Sequence, residues 1–393
     1  MSKLIETKRK NRISRTVEAI PPSGIRRFFD LASSMEGVIS LGVGEPDFVT
    51  PWNVREASIF SLERGYTTYT SNNGLPELRK EIAHYLSKFF QTEYNPDKEI
   101  IVTVGASEAI DIACRAILDP GDEVLVVEPC FVAYEPLVRL AGGVPVSILT
   151  TQEQDFKLTP ELIEEKITPN TKAIMISFPN NPTGSIMTKE ELMAISKVIE
   201  KHDLLVISDE IYAELTYDQQ HTSFAAIPGM WDRTILISGF SKAFAMTGWR
   251  IGYVCAPEDI CQAMLKIHQY AIMCAPIMAQ KAAIEALQNG LEIKDRMVES
   301  YKHRRNYVVK AFRDIGLSCH QPEGAFYAFP SIRSTGLSST EFAEQLLLKH
   351  KVAVVPGNVF GASGEGFVRC SYATSLENLQ VAIERIAKFC QTL

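Results

Sequence analysis

Short apolar runs typical of buried β-strands alternate with helical periodicity along most of the chain. Leu78, Ile82 and Leu86 recur at the spacing of one helix face, for example, and a strand-like run follows them. The predicted strands are Ile100–Val104, Val124–Val127, Val144–Leu149, Ala173–Phe178, Leu204–Ser208, Thr234–Ser238 and Ile251–Ala256. Strands that are apolar on both faces and separated by helices predict an α/β fold, with a mostly parallel sheet covered by helices on both sides.

The sequence pattern changes after about residue 290. A long charged helix is predicted over 291–315, and strands are predicted over 324–329 and 352–355. This pattern of helix and strands is typical of a second, smaller α+β domain. The predicted division is a large domain over 48–289 and a small domain built from both chain ends, 1–47 and 290–393.

Composition limits the kind of partner that the chain binds. The 393 residues carry 40 Lys+Arg and 47 Asp+Glu, which gives a formal net charge of −7. No global positive field is available to attract nucleic acid or an anionic membrane. The longest apolar stretch, 270–279, is too short to span a membrane. Neither a nucleic-acid nor a membrane partner is predicted, and a small-molecule substrate is expected.

Cysteine usage and the first residues bear on the cellular compartment. The eight cysteines are scattered, without a C-x-x-C pair or metal-ligand spacing, so reduced thiols and no metal site are predicted. The basic residues from Lys8 to Arg12 are not followed by the apolar segment of a secretory signal. Together these features predict a cytoplasmic protein.

Two common nucleotide-binding signatures are absent from the sequence. There is no G-x-x-x-x-G-K-[ST] motif. The segment Gly42–Asp47 lacks the third glycine of the dinucleotide fingerprint and leads into a proline rather than a helix. The sequence therefore lacks the motifs that would most strongly indicate binding of ATP or NAD.

Polar residues follow four of the predicted strands, where an open α/β sheet places its ligand crevice. They lie in the segments Gly105–Ser107, Pro179–Gly184, Asp209–Tyr212 and Ser241–Arg250. The first of these leads straight into a helix, whose free N–H groups are suited to a phosphate. Taken singly, each segment is also compatible with an ordinary turn.

Lys242 and Asp209 have the most unusual surroundings among these residues. Lys242 lies among apolar residues, where desolvation favours the neutral amine that a Schiff base requires. Arg250 follows eight positions later and supplies a permanent cation for a phosphate. Asp209 ends a buried strand, so its carboxylate needs a cationic partner, and a protonated pyridine is one.

The order and spacing of three motifs resemble those of the pyridoxal-phosphate-dependent aminotransferases of fold type I, classes I and II. The motifs are Asn181–Gly184, Asp209–Tyr212 and the run from Ser241 to Tyr253. The likeness extends from the segment around Gly42 to Val368–Ala373. It implies pyridoxal 5′-phosphate as cofactor. It also implies transfer of an amino group from an L-amino acid to a 2-oxo acid, such as 2-oxoglutarate, by a ping-pong mechanism.

The resemblance also implies roles for residues around the cofactor ring. Lys242 is implied to form the Schiff base and, once displaced by substrate, to move the proton between the substrate Cα and the cofactor. Asp209 is implied to keep the pyridine nitrogen protonated, which makes the ring an electron sink. Asn181 and Tyr212 match donors to the ring 3-oxygen. Phe131 matches the aromatic residue stacked on the ring, although it also suits an ordinary core position.

A phosphate site is implied by the same likeness. Its residues are Gly105, Ala106, Ser107, Ser241 and Arg250. Many relatives carry Ser or Thr where this chain has Gly239, so one phosphate hydroxyl is either missing or replaced by that of Ser241. Tyr69 resembles the tyrosine that reaches the phosphate of the neighbouring subunit. A homodimer with shared active sites is therefore expected.

Substrate contacts are implied for Arg369, Gly44 and Asn181. Arg369 matches the arginine whose fork binds the α-carboxylate, and Gly44 matches a backbone contact to the same group.

The preferred amino donor is predicted from a position where this sequence differs from some members of the family. Aspartate-preferring members of the closest subgroup carry a lysine where this chain has Ser107. The apolar segment 270–274, together with Phe131 and Tyr134, is expected to line the side-chain pocket. An aromatic, apolar or alanine donor is predicted ahead of aspartate.

Three alternatives remain at this level. A C–S β-lyase would use the same fold and cofactor, and would release pyruvate and ammonia from cystathionine without an acceptor. A pyridoxal-phosphate-sensing regulator would need a DNA-binding module, and the first thirty residues show no helix-turn-helix. A catalytically inactive binding protein would not need Lys242, Asp209 and Arg369 together.

Overall fold

The described part of the chain, residues 12–22, 24 and 35–393 of a computed structural model, contains a seven-stranded central sheet and two small sheets. Its strands are β1 (Ile39–Ser40), β2 (Ile100–Thr103), β3 (Glu123–Glu128), β4 (Val144–Leu149), β5 (Thr171–Ser177), β6 (Leu205–Asp209), β7 (Thr234–Gly239), β8 (Gly252–Cys255), β9 (Tyr327–Ala328), β10 (Val352–Ala353), β11 (Val355–Pro356) and β12 (Val368–Ser371). Its α-helices are α1 (Arg15–Glu18), α2 (Trp52–Glu63), α3 (Pro76–Phe90), α4 (Ala106–Ile117), α5 (Tyr134–Leu140), α6 (Pro160–Lys166), α7 (Lys189–Lys201), α8 (Glu258–Ala271), α9 (Ile277–Asn289), α10 (Leu291–Asp314), α11 (Ser339–His350) and α12 (Leu376–Cys390).

The central sheet has the strand order β2-β8-β7-β6-β5-β3-β4 and is mostly parallel. Only β8 runs antiparallel to its neighbours, β2 and β7. One α-helix connects each pair of consecutive strands from β2 to β6, as crossovers between parallel strands usually require. The predicted α/β class with a mostly parallel sheet is confirmed.

Both faces of the central sheet are largely buried except at the edge strand β4, which explains why its inner strands are mainly apolar. On β2, Ile100 and Val102 pack with residues of α3 and α9, whereas Ile101 packs with α4 and α8 on the opposite face. All three side chains are at most 1% exposed. Because successive side chains of a strand point to opposite faces of the sheet, one strand packs against both helical layers.

A second hydrophobic core surrounds the three-stranded sheet β11-β12-β9. Its core includes Tyr301 of α10, Phe342 of α11 and Leu379 of α12. The N-terminal strand β1 pairs in parallel with β10, so both chain ends contribute to this region. Residues 1–11, 23 and 25–34 of the predicted small domain lie outside the described residues, and the domain boundaries stay a prediction.

Two of the predicted strands differ from the structure. Of the span 324–329, only Tyr327–Ala328 is a strand, because Gly324 and Ala325 instead donate hydrogen bonds to Gly184, after β5, and to Leu215, after β6. The span 352–355 is divided into β10 and β11, which pair with different partners, β1 and β12. These pairings connect distant parts of the chain, which a local pattern does not predict.

In the described ranges, no helix has the length and hydropathy of a membrane span. The same residues contain no group of three or more His, Cys, Asp or Glu side chains arranged to hold a metal ion. All of the cysteines are free thiols, and most are buried.

Candidate active site

The carboxyl ends of β2, β5, β6 and β7 meet at a cavity of about 600 Å³ that also reaches β12. Predicted site residues that line it are Gly44, Ala106, Ser107, Phe131, Asn181, Asp209, Tyr212, Ser241, Lys242, Arg250 and Arg369. The remaining lining residues are Val43, Glu45, Ile110, Tyr134, Ser177, Ile211, Thr247, Gly248 and Tyr327. The fold therefore brings together residues that are far apart in the sequence, such as Gly44 and Arg369.

Lys242 follows β7 and presents its amine to the cavity. Its Nζ donates a hydrogen bond to the carbonyl oxygen of Gly44 at 2.6 Å. Burial lowers the pKa of Lys242 to about 8, and the positive charges of Arg369 and Arg250 act in the same direction. A fraction of the amine is therefore neutral near pH 7, as a nucleophile or a proton acceptor requires.

Asp209 ends β6 at the floor of the cavity, where it is 4% exposed. The hydroxyl of Tyr134 donates to Oδ2 at 2.6 Å, and the backbone N–H of Ile211 donates to Oδ1 at 3.2 Å. Burial raises the pKa of Asp209 to about 6, against the lowering effect of these hydrogen bonds. No cation forms an ion pair with Asp209 within the described residues. A buried carboxylate in this position suits a cationic ligand atom.

Arg369 of β12 is also buried, with 3% of its surface exposed. Its Nη1 donates to Oδ1 of Asn181 at 2.9 Å, and its Nη2 donates to the carbonyl oxygen of Gly42 at 2.6 Å. Its Nε has no hydrogen-bond partner, and both partners of the fork are neutral groups in the part of the chain that the structure describes. A buried guanidinium without an anionic partner suits a ligand carboxylate.

An anion cup lies at the start of α4. Gly105 precedes this helix with φ of 80°, and a Cβ there would lie 2.5 Å from Nη2 of Arg250. The first helical N–H groups, the hydroxyl of Ser107 and the Arg250 guanidinium thus meet in one place. The buried Ser241 lines the same cavity.

The structure explains why position 239 lacks a hydroxyl. Gly239 pairs with Gly252 across β7 and β8, and a Cβ on Gly239 would lie 2.8 Å from the Gly252 Cα. A Cβ on Gly252 would in turn lie 2.8 Å from the backbone nitrogen of Ala106. Neither position has room for a side chain, so Ser or Thr at 239 would push β8 against the anion cup.

Tyr212, Asn181 and Phe131 form the remaining wall of the cavity. The hydroxyl of Tyr212 lies 2.8 Å from that of Tyr327. The Phe131 ring meets the Tyr134 ring edge to face, with 5.7 Å between their centroids.

Three predictions about the surroundings of the cavity have different outcomes. Tyr69 is 81% exposed and lies outside the cavity of its own chain, beside a surface pocket formed with Cys274–Met278. The segment 270–274 also does not line the cavity. Tyr134 lines the cavity with its hydroxyl bound to Asp209, so the expectation that it shapes a side-chain pocket stays a prediction.

The sequence did not indicate that Tyr134 bonds to Asp209 or that Tyr327 lines the cavity. One signal for Tyr134 was available. It lies three positions after Phe131, another aromatic residue and a predicted ligand contact. Tyr327 lies within a short alternating apolar run, where nothing separates it from a core tyrosine.

These features together, a desolvated lysine facing a buried carboxylate on an α/β sheet, define the site of a fold-type-I pyridoxal-phosphate enzyme. The comparisons with known proteins specify the family. Residues 36–386 match the family described as Aminotransferase class I and II, and the chain belongs to this family. It is therefore an aminotransferase that uses pyridoxal phosphate and acts on amino acids and oxo acids.

Individual relatives differ in the substrates that they are named for. YugH of Bacillus subtilis (strain 168), named as an aminotransferase without a stated substrate, is 63% identical over 96% of this chain and 98% of its own length. An aspartate aminotransferase of Pyrococcus abyssi is 46% identical over 96% and 97%. The crystal structure of an aromatic aminotransferase from Pyrococcus horikoshii OT3 has a TM-score of 0.89 at 43% identity, covering 94% of this chain and 99% of that one.

The residues of the cavity fit the cofactor on structural grounds. Asp209 is a buried carboxylate without an ion-pair partner among the described residues, and a protonated pyridine nitrogen would supply one. The cup at Gly105 and Arg250 suits a phosphate, and Lys242 offers an amine of lowered pKa in the same cavity. The Nε of Arg369, which has no hydrogen-bond partner in the described part of the chain, suits a ligand carboxylate.

Proposed function

We propose that this chain transfers the amino group of an aromatic amino acid, another apolar amino acid or alanine to a 2-oxo acid such as 2-oxoglutarate. The two half-reactions would share one cavity in a ping-pong sequence. The observation that carries the proposal is the Arg369 guanidinium, buried with a free Nε and without a carboxylate partner among the described residues, next to the Lys242 amine.

Bound pyridoxal phosphate supplies a carbonyl carbon for the amine and an electron sink for the negative charge that develops at the substrate Cα. The fork of Arg369 binds the α-carboxylate, with the backbone of Gly44 beside it. This contact orients the Cα–H bond towards Lys242. Nζ of Lys242 would accept the proton from Cα and pass it to the cofactor, which its pKa of about 8 allows near neutral pH.

Other side chains hold the cofactor. Asp209 keeps a negative charge next to the pyridine nitrogen, supported by the hydroxyl of Tyr134. Asn181 and Tyr212 donate to the ring 3-oxygen, and Phe131 packs on the ring. The phosphate is held by Gly105, Ala106, Ser107, Ser241 and Arg250.

The donor preference is supported by the charges of the cavity. Its described lining contains three cations, Lys242, Arg250 and Arg369, and each has a role with the cofactor or the α-carboxylate. No further cation remains there for the distal carboxylate of aspartate. The lining also includes the apolar side chains of Val43, Ile110 and Phe131. Burial of an aromatic or aliphatic donor side chain against them is favourable.

Ser107→Lys tests this preference by adding the missing cation. We expect kcat/KM for aspartate, relative to that for phenylalanine, to rise by about tenfold or more, because a charge-assisted hydrogen bond contributes at this scale. Ser107→Met is the matched control, since it has similar length and also loses the serine hydroxyl. Aspartate as the best donor of the unmodified enzyme in a substrate panel would refute the proposed preference.

A homodimer with shared active sites is part of the proposal. Exposed apolar side chains extend over α2, the loop after it and the end of α8, including Trp52, Phe60, Tyr66, Tyr69 and Tyr270. Exposed apolar side chains in these neighbouring segments suit contact with a second copy of the chain. In such a dimer, the partner subunit's Tyr69 would contact the phosphate bound in this chain.

Mixed dimers test the shared site. Tyr69→Ala and Lys242→Ala proteins are each expected to be strongly impaired. After their subunits are exchanged, each mixed dimer would contain one site with both Lys242 and the partner subunit's Tyr69 intact. Activity should then recover to about a quarter of the wild-type value at equal mixing. If Tyr69 serves its own chain, no mixed site is intact and no recovery follows.

The domain division and compartment are proposed on separate grounds. The division at about 48 and 289 is supported by the core around β9 to β12, which consists mainly of residues from these strands and from α10 to α12. The cytoplasm is supported by the free cysteines, which are typical of a reducing compartment.

A further inference from the structure

Tyr327 lies where three parts of the candidate active site meet. It belongs to β9 and pairs with Ser371 of β12, two positions after Arg369. Its side chain is 1% exposed. The pairing of these two strands therefore fixes the tyrosine ring relative to the Arg369 guanidinium.

The hydroxyl of Tyr327 makes one hydrogen bond with the hydroxyl of Tyr212, at 2.8 Å. Burial raises the pKa of both phenols, so both keep their protons near neutral pH. Each hydroxyl has one hydrogen, so only one of the two donates to the other. If Tyr212 gives its hydrogen to the cofactor, Tyr327 must be the donor in this pair.

The ring of Tyr327 has a different neighbour. The Cζ atom of Arg369 lies 4.4 Å from its centroid, which is the geometry of a cation–π contact. The hydroxyl also faces Gly44, where a Cβ would lie only 2.6 Å from it. One side chain thus touches the clamp for the α-carboxylate, the Gly44 backbone and a donor to the cofactor.

We propose that Tyr327 is a positioning residue with two actions. Its hydroxyl directs the hydrogen of Tyr212 towards the ring oxygen of the cofactor, and its ring holds the Arg369 guanidinium in place for the substrate carboxylate. The first action rests on the proposed contact of Tyr212 with the cofactor. A hydroxyl that accepts a hydrogen bond is a stronger donor, so removing the Tyr327 hydroxyl weakens the bond from Tyr212.

Tyr327→Phe tests the first action in the holoenzyme. Donors to the ring oxygen favour its ionised form and lower the pH at which the cofactor absorbance titrates. We expect the midpoint of this spectral titration to rise by about half a unit to one unit. The KM for the amino donor should change less than about twofold, because the ring is retained. An unchanged midpoint overturns this action.

Tyr372→Phe is the matched control. Tyr372 is equally buried, and its hydroxyl bonds to the Ala325 carbonyl oxygen and the Tyr217 hydroxyl, outside the lining of the cavity. We expect no shift of the spectral midpoint in this variant. A shift equal to that of Tyr327→Phe would mean that loss of any buried hydroxyl in this region has the effect.

Tyr212→Phe separates this inference from the proposed function on which it rests. It should raise the midpoint by more than Tyr327→Phe does, and Tyr327→Phe should add nothing in a Tyr212→Phe background. If Tyr212→Phe leaves the midpoint unchanged, the proposed cofactor contact of Tyr212 is wrong. If it raises the midpoint whereas Tyr327→Phe does not, only the inference about Tyr327 fails.

Tyr327→Leu tests the action of the ring. Relative to Tyr327→Phe, we expect the KM for the amino donor to rise by about fivefold or more, because the cation–π support of Arg369 is lost. The spectral midpoints of the two variants should agree, since both lack the hydroxyl. Equal KM values in the Phe and Leu variants would overturn the second action.

Discussion

Lys242→Ala should lower the rate of amino transfer by about 10⁴-fold or more, because it removes both the nucleophile and the group that accepts the proton from the substrate Cα. Borohydride should no longer fix the cofactor to the chain. The fold should persist, since the amine makes a single hydrogen bond, to the Gly44 carbonyl oxygen. Steady-state kinetics, circular dichroism and mass spectrometry after borohydride treatment measure these three properties.

Lys197→Ala is the control for this experiment. Lys197 is an exposed residue of α7, so its removal should change neither the activity nor the fixation of the cofactor. Full activity in Lys242→Ala, with Lys197→Ala unchanged, would refute the assigned role of Lys242.

Asp209→Asn should have two effects of opposite sign. In the holoenzyme it removes the charge that keeps the pyridine nitrogen protonated, so kcat should fall by about 10³-fold. In the cofactor-free protein it removes a buried charge without a cation among the described residues, so the free energy of unfolding should rise at neutral pH.

The pH dependence of the second effect follows from the raised pKa of Asp209. Burial raises the pKa of Asp209 in the folded state to about 6. Between the pKa of this carboxyl in the unfolded state and about pH 6, the folded state therefore binds more protons than the unfolded state. This carboxyl therefore lowers stability as pH rises through that window, by an amount on the order of 3 kcal/mol.

Urea unfolding of the cofactor-free proteins at pH 5 and pH 8 measures the difference. Asp209→Asn should gain more at pH 8 than at pH 5. The exposed Asp232→Asn is the control, and it should change stability at neither pH. An Asp209→Asn variant that keeps wild-type kcat would contradict the role of Asp209, whatever its stability.

Much of the fold and part of the site could be predicted because their signals are local. The strands of the central sheet are short apolar runs, and burial on both faces accounts for that composition in all of them except the edge strand β4. Residues that follow parallel strands are brought to one edge by the topology, which is why Ser107, Asp209 and Lys242 share a cavity.

The remaining features depend on contacts between distant segments. The antiparallel direction of β8 leaves no mark in its own residues, and the splitting of 352–355 follows from its pairing with β1 and β12. The roles of Tyr134 and Tyr327 were missed for the same reason. Their hydroxyls bond to residues 75 and 115 positions away, and a buried tyrosine in an apolar run gives no sign of its partner.

A single-turnover measurement tests directly whether this cavity carries out amino transfer in two half-reactions. The holoenzyme is mixed with one amino acid at a time in the absence of any oxo acid, and the cofactor spectrum and products are followed. For an aromatic, apolar or alanine donor, we expect conversion to the pyridoxamine form with one oxo acid released per site and no further turnover. Continuous release of ammonia, or no spectral conversion with any amino acid, would contradict it.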